Sequence, residues 1–213
     1  GRVVDMLAPE LRALPYIRYV VSGHGARVYD RVKNETIYEC VIPPEASSRV
    51  LAALEGRGLY AEIAADHTIY IEKATERALD VLPVPSHHVW YMRDEKGYTA
   101  VDCLSKYFLD HHLGIEKVNL YGIPAEQQQS AYDDVNATGA IRHTRGAAAR
   151  DLEFSSKELN KDAAMDALLA RLGLTYDDTF AIGDSSTDVD VIRKARIGVA
   201  MGDSPEDTKA AAD

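Results

Sequence analysis

A short apolar run that leads directly into a cluster of acidic residues constrains the fold of this chain more than any other feature. The run Thr179-Phe180-Ala181-Ile182 is followed by a glycine and then, within seven residues, by Asp184, Asp188 and Asp190. Such a run is typical of a buried parallel strand, and the apolar spacing behind it predicts a helix. In open α/β sheets, ligands bind where such strands end. The sequence therefore predicts a ligand site at this edge.

The composition excludes several functional classes. The 213 residues are 46% hydrophobic and carry a net charge of -10, which favours a packed core and disfavours general binding to nucleic acids or anionic membranes. No apolar run approaches the ~20 residues that span a bilayer, and the start lacks the apolar region of a signal peptide. Cys40 and Cys103 have neither metal-ligand nor disulfide spacing. We expect a cytoplasmic monomer or homodimer whose partner is a small molecule.

The two ends of the chain share an alternation of helix and strand. The pattern predicts a helix over Val3 to Leu14 and a strand over Tyr19 to Ser22. It predicts a second helix over Lys161 to Leu172 and a further strand over Gly198 to Asp203. Alternation with short links is typical of an α/β fold with a Rossmann-like, doubly wound parallel sheet.

The middle of the chain has a different texture. Helices are predicted near 47–54, 74–82, 100–113 and 124–135, and strands near 60–63, 68–72, 88–92, 117–121, 140–142 and 152–154. These elements are too many for a loop. We therefore predict a second α/β domain, residues 42–148, inserted into a discontinuous core of residues 1–41 and 149–213. The core is expected to be incomplete at both ends.

Three charged residues suggest phosphoryl chemistry. Lys161 stands at the amino end of its helix, where a cation is disfavoured unless it meets an anion. Asp184 and Asp188 supply the oxygen ligands that Mg²⁺ prefers. A cation for a phosphoryl group and carboxylates for a metal are what phosphoryl transfer needs. Taken alone, the lysine could be a solvated residue beside Asp162 and the acidic stretch an ordinary capped turn.

Several segments resemble one known superfamily. The segment Gly183-Asp184-Ser185-Ser186-Thr187-Asp188 looks like the GDSxND motif of the haloacid dehalogenase superfamily, and Lys161 resembles its motif lysine. Residues 198–203 resemble the GVAMGNA strand of the Cof-like phosphatase branch, and residues 21–26 resemble its SNGA turn. Gly1-Arg2 resembles the end of its TGR segment. The insertion matches the position and make-up of the branch's type IIB cap.

The resemblance implies roles for individual residues. Asp184 would ligate Mg²⁺, and Asp188 would hold the metal's water shell or a neighbouring ligand. Lys161 would neutralise phosphoryl oxygens and steady an aspartyl phosphate, and Thr187 would contact phosphate. Gly1 and Arg2 would lie on the substrate side of the site, and Arg2 would reach toward the phosphate or the cap.

The sequence also departs from the family pattern. The family's nucleophile lies in a DxDGT segment upstream of TGR, and this chain contains no such segment, so we expect its amino end to be missing. Thr187, Asp203 and His24 each stand where the family has asparagine. A carboxylate at Asp203 would repel phosphate unless it is turned away, protonated or paired with a cation.

The leading interpretation is a Mg²⁺-dependent phosphatase for small phosphorylated metabolites, with sugar phosphates as the expected class. Two alternatives stay open: a sugar phosphomutase of the same fold, and a non-catalytic module that binds a metal or a metabolite. The adjacent histidine pairs His87-His88 and His111-His112 are poor chelates, because neighbouring strand residues point to opposite faces. Most aromatic residues of the insertion are expected in its core.

Overall fold

The computed structural model describes residues 2–80, 90–95, 97–145 and 149–213. The chain forms two compact units, one ending at Asn160 and one beginning at Lys161. The strands are β1 (Tyr19–Ser22), β2 (Arg27–Asp30), β3 (Glu35–Glu39), β4 (Ala61–Ala65), β5 (Thr68–Glu72), β6 (Tyr98–Val101), β7 (Lys117–Leu120), β8 (Ile141–Arg145), β9 (Leu152–Ser156), β10 (Phe180–Gly183) and β11 (Ile197–Ala200). The helices are α1 (Pro9–Ala13), α2 (Pro44–Ala52), α3 (Leu104–Asp110), α4 (Ala125–Asn136), α5 (Lys161–Leu172), α6 (Val189–Lys194) and α7 (Glu206–Lys209).

A six-stranded sheet forms the centre of the first unit. Its strand order is β6-β5-β4-β7-β9-β8, with β5 and β6 parallel and the other pairs antiparallel. Ile63 and Phe154 of the sheet share one buried core with Val50, Phe108 and Val135 of helices α2, α3 and α4. The alternation of strand side chains thus directs one face of the sheet toward these helices.

A smaller antiparallel sheet, β1-β2-β3, precedes the large one. The turn between β1 and β2 contains Gly23 and His24, both with positive φ, so the chain reverses tightly and the two strands pair antiparallel. Arg27 on β2 donates from Nε to Oε1 of the buried Glu116 at 2.9 Å, and Ser22 donates to its Oε2 at 3.2 Å. These bonds fix the hairpin against the start of β7.

The second unit contains the predicted parallel pair, β10 and β11, whose register places Gly183 opposite Ala200. Gly198 lies under the carbonyl of Ile192 in α6 with no room for a Cβ atom, so the helix packs closely on the strand. The predicted burial of the β10 run is wrong in part: Phe180 is 62% exposed. Among the described residues β10 pairs only with β11, so this side chain faces solvent.

Several predicted elements differ from the structure. The helix predicted near 74–82 is, where it is described, a 3₁₀ helix over Lys73–Asp80, and the strand predicted over 198–203 ends at Ala200. The predicted helix over residues 3–14 is divided into a 3₁₀ turn (Val4–Met6) and α1, because Ala8, which precedes a proline, is extended. The predicted strand over 88–92 is wrong where it is described, since Trp90–Asp94 form a π-helical turn; residues 88 and 89 lie outside the described part. The helix predicted from residue 100 begins at Leu104, because β6 pairs with β5 up to Val101.

The predicted domain boundaries stay a prediction, and two observations bear on them. Strand β9 lies after residue 149, where the core was expected to resume, yet it pairs with β7 and β8 in the large sheet. The first compact unit ends at Asn160 and the second begins at Lys161, which is not where the predicted core resumes. Across the described ranges, no helix has both the length and the apolar character needed to cross a membrane.

Candidate active site

The acidic loop after β10 is closed by one of its own carboxylates. Oδ2 of Asp188 accepts the backbone N–H groups of Asp184 and Ser185, each at 3.2 Å, and the Ser185 hydroxyl at 3.2 Å. In return, the Asp188 N–H donates to the Ser185 carbonyl at 2.9 Å. An acid that accepts N–H groups at the start of a helical turn satisfies donors that would otherwise lack partners. The Asp188 side chain is therefore fixed by the loop itself.

Gly183 provides the space for this carboxylate. A Cβ atom at Gly183 would lie 2.5 Å from the Asp188 Cβ and 2.7 Å from its Oδ2, closer than van der Waals contact allows. The Gly183 carbonyl accepts the Met201 N–H at 2.9 Å, which joins the end of β10 to the residue after β11. The glycine is thus required by packing and not by its backbone angles.

Asp184 has a different environment from Asp188. It is exposed, and no described residue makes a hydrogen bond or an ion pair with its carboxylate. Because its side chain takes no part in holding the loop, this carboxylate is available for a ligand.

The rest of the loop is attached to helix α7. Ser186 donates to Oδ1 of Asp207 at 3.0 Å, and this bond lowers the pKa of Asp207 below its ordinary value. The Ser185 and Thr187 hydroxyls are 2.7 Å apart. Our sequence reasoning missed Asp207, although the stretch Ser204-Pro205-Glu206-Asp207 has the proline and early acids of a helix start and could have indicated it.

The donor chemistry of the loop fits Mg²⁺. The Asp184 carboxylate and Oδ1 of Asp188 are hard oxygen donors without partners in the described chain. Mg²⁺ is commonly bound by one or two carboxylates and completes its octahedron with water and phosphate oxygens. Within the described ranges, no group of three or more His, Cys, Asp or Glu residues is placed to hold a metal. The two aspartates thus offer oxygen donors of the kind that Mg²⁺ prefers, and their role as its ligands stays a prediction.

The structure brings together Asp184, Thr187 and Asp188 but does not test the whole predicted site. Lys161 is the first residue of α5, as predicted, but its side chain lies outside the described part, so its convergence with the two acids stays a prediction. Its neighbour Asp162 is paired with Lys194 at 2.5 Å.

The predicted substrate residues at the start of the chain belong to the first unit. Gly1 lies outside the described residues, whereas Arg2 is exposed and its carbonyl accepts the Gly23 N–H at 3.2 Å. The proposed roles of Gly1 and Arg2 are therefore not tested by the geometry of the acidic loop.

The structure shows the environment of two residues that depart from the family motifs, His24 and Asp203. The His24 Nε2 lies 3.4 Å from Oε1 of Glu153, and Lys117 donates a hydrogen bond to Oε2 of the same carboxylate at 3.2 Å. Burial raises the pKa of Glu153, but the surrounding positive charges, Lys117 first and then His24, hold the pKa below its ordinary value. Asp203 is exposed in the turn after β11.

Comparison with known proteins defines the class. A family model described as haloacid dehalogenase-like hydrolase matches residues 1–213. The phosphatase YwpJ of Bacillus subtilis is 22% identical over 215 residues, which cover 92% of this chain and 73% of that protein. The 5-amino-6-(5-phospho-D-ribitylamino)uracil phosphatase YcsE of the same organism is 36% identical over 63 residues, or 30% of this chain and 25% of its own.

Solved structures agree on the fold. A haloacid dehalogenase-like hydrolase from Bacteroides thetaiotaomicron superposes with a TM-score of 0.78 at 22% identity, covering 100% of this chain and 77% of that one. The subclass IIB sugar phosphatase BT4131 gives a TM-score of 0.65 at 21% identity, covering 100% and 76%. The solved structures show the α/β fold, and the family model over residues 1–213 makes the protein a hydrolase. More closely, the chain belongs to the haloacid dehalogenase-like hydrolase family, as its motifs predict.

Proposed function

We propose that this protein is a Mg²⁺-dependent phosphatase that hydrolyses small phosphorylated metabolites, with sugar phosphates as the preferred class, through an aspartyl-phosphate intermediate. The observation that best supports this proposal is that the two aspartates of the acidic loop have different environments. Asp188 is held by backbone N–H groups, while the exposed Asp184 carboxylate has no partner in the described chain. Relatives named phosphatases and a sugar phosphatase of similar fold support the same reading.

Each site residue has a proposed task. Asp184 binds the metal, and Asp188 presents Oδ1 to it or to its water shell while Oδ2 keeps the loop closed. Thr187 and Lys161 contact phosphoryl oxygens, and Gly1 and Arg2 lie on the substrate side. Bound Mg²⁺ supplies positive charge that offsets the charge of the phosphoryl group. The aspartyl nucleophile of the family belongs to the DxDGT segment, which the resemblance places before Gly1.

The predicted domain organisation and setting are part of the proposal. Residues 42–148 would form a type IIB cap that selects substrates, and residues 1–41 with 149–213 the hydrolase core. The net charge of -10 and the two cysteines without disulfide spacing support a cytoplasmic monomer or homodimer that binds neither nucleic acid nor membrane.

The test uses the full-length protein expressed from its gene, incubated with a panel of sugar and nucleotide phosphates. We expect phosphate release that EDTA abolishes and that Asp184→Asn lowers by about 10²–10³-fold, as for loss of one charge-stabilising group. Asp190→Asn is the matched control, because Asp190 is exposed and its carboxylate lies 3.8 Å from the exposed Arg193. Activity that survives both EDTA and Asp184→Asn would refute the proposal. An isomerised sugar phosphate in place of free phosphate would identify a phosphomutase instead.

A further inference from the structure

A polar pocket of about 390 Å³ lies in the first unit, and none of its lining residues belongs to the acidic loop. Asp5 and Arg12 line it from the start of the chain, Thr68 from β5, and Tyr91 and Glu95 from the π-helical turn and the residue after it. Its volume falls in the range of small-molecule sites.

The Tyr91 side chain has an unusual hydroxyl group. Tyr91 is only 4% exposed, and its buried hydroxyl makes no hydrogen bond. Burial raises the pKa of the Tyr91 phenol to about 12; Thr68 lies near enough to offset part of this rise, yet the hydroxyl has no hydrogen-bond partner. A Cβ atom at Gly97 would collide with Cζ of Tyr91, so the hydroxyl end of the ring lies against a residue that lines the pocket. A buried hydroxyl without a hydrogen-bond partner is unfavourable unless a ligand supplies the missing hydrogen bond.

Charges of both signs line the same pocket without pairing. Arg12, Asp5 and Glu95 all belong to its lining, yet in the described part of the chain none of them forms an ion pair within 4.0 Å. Burial raises the pKa of Asp5, and the charges of His67 and then of Arg12 partly offset this rise, so Asp5 and Arg12 still interact electrostatically. Unpaired opposite charges around one cavity can be joined by a ligand that carries both.

We propose that this pocket binds a small zwitterion with one carboxylate and one ammonium group, such as an α-amino acid. The Arg12 guanidinium binds the carboxylate in bidentate fashion, and Asp5 and Glu95 accept from the ammonium group. On binding, the Tyr91 ring turns so that its hydroxyl, which is buried in the free protein, donates to the carboxylate and gains the partner that it lacks. The site is independent of the phosphatase proposal, because it shares no residue with the acidic loop.

Binding is tested on the whole protein with three matched probes: L-serine, N-acetyl-L-serine, which has no ammonium group, and L-serinamide, which has no carboxylate. Saturation-transfer NMR and the shift in Tm measure binding, with probes up to about 10 mM because few contacts hold so small a ligand. We expect L-serine to bind at least about tenfold more tightly than either blocked probe, since each lacks one charge-assisted contact.

The variants separate recognition from folding. Arg12→Gln and Asp5→Asn should each weaken L-serine binding about tenfold or more. Arg193→Gln and Asp177→Asn, at exposed positions of the second unit, are the controls and should leave binding unchanged. Tyr91→Phe should weaken binding while leaving the Tm of the free protein equal or higher, because it removes a buried hydroxyl without a partner.

The proposal is overturned if no probe binds, if all three bind equally, or if Arg12→Gln and Asp5→Asn bind L-serine as tightly as the parent protein. Loss of Tm in Tyr91→Phe without loss of binding would likewise assign the hydroxyl to the fold and refute its role.

Discussion

Asp188 accepts the backbone N–H of Asp184 through Oδ2 at 3.2 Å, so one acid of the loop holds the chain on which the other is presented. This arrangement separates the two carboxylates by task, although both belong to one six-residue motif. One carboxylate oxygen of Asp188 accepts hydrogen bonds that hold the loop, whereas neither carboxylate oxygen of Asp184 does so. Substitutions at the two positions should therefore have different consequences.

The first prediction compares these two acids. Asp188→Ala removes the acceptor of three hydrogen bonds and should lower the free energy of unfolding by about 1–2 kcal/mol, the usual cost of losing a capping side chain. Asp184→Ala should leave stability unchanged, because its carboxylate has no partner in the described chain. Urea unfolding of both variants measures the difference. Equal losses of stability would contradict the assignment.

The second prediction concerns Gly183. Gly183→Ala places a Cβ atom 2.5 Å from that of Asp188, so the loop must shift. We expect the free energy of unfolding to fall by about 1–3 kcal/mol, which is typical of overpacking. We also expect about 10²-fold lower phosphatase activity, because the shift of the loop moves its aspartates out of alignment. Gly202→Ala is the control, since a Cβ there has no neighbour within 4 Å. Unchanged activity in Gly183→Ala would show that the loop tolerates this shift.

The third prediction concerns the buried pair Arg27 and Glu116. The Glu116 side chain is 0% exposed and accepts from the Arg27 Nε at 2.9 Å, so Arg27→Met leaves a buried charge without its main partner. The expected loss is about 3–5 kcal/mol in urea unfolding. Lys106→Met breaks the exposed pair of Lys106 with Asp110 and should leave the unfolding midpoint almost unchanged. Similar effects of the two substitutions would refute the structural role of the buried pair.

The fourth prediction is a pH dependence. The pKa of Glu153 lies below its ordinary value of 4.5, so its ion pairs stabilise the fold above that value, and the contribution is lost as the pH falls through the lower, folded-state pKa. Thermal unfolding between pH 6 and about pH 3 should show a steeper decline in the parent protein than in Glu153→Gln. Glu126→Gln, at the exposed start of α4, should follow the parent curve. Parallel curves for the parent and Glu153→Gln would contradict the pairing.

Some features of this protein were readable from residues close together in the chain. The strand-glycine-aspartate pattern correctly predicted the parallel β10–β11 pair and the position of the acidic loop, and the motifs indicated the family. Local sequence suffices here because strand periodicity, glycine turns and capping acids act within a few residues.

Other features depended on contacts between distant segments. The sequence did not reveal that β9 joins the large sheet, that Arg27 meets Glu116 across 89 residues, or that Gly183 makes room for Asp188. A pattern of apolar residues predicts that a strand forms, but its partner and direction follow from packing against elements remote in sequence. The sequence alone therefore determined the chemical groups of the loop and their order. Only the tertiary structure decided which carboxylate is held and which is left for a ligand, because that choice depends on the space at Gly183 and on the hydrogen bonds of the folded loop.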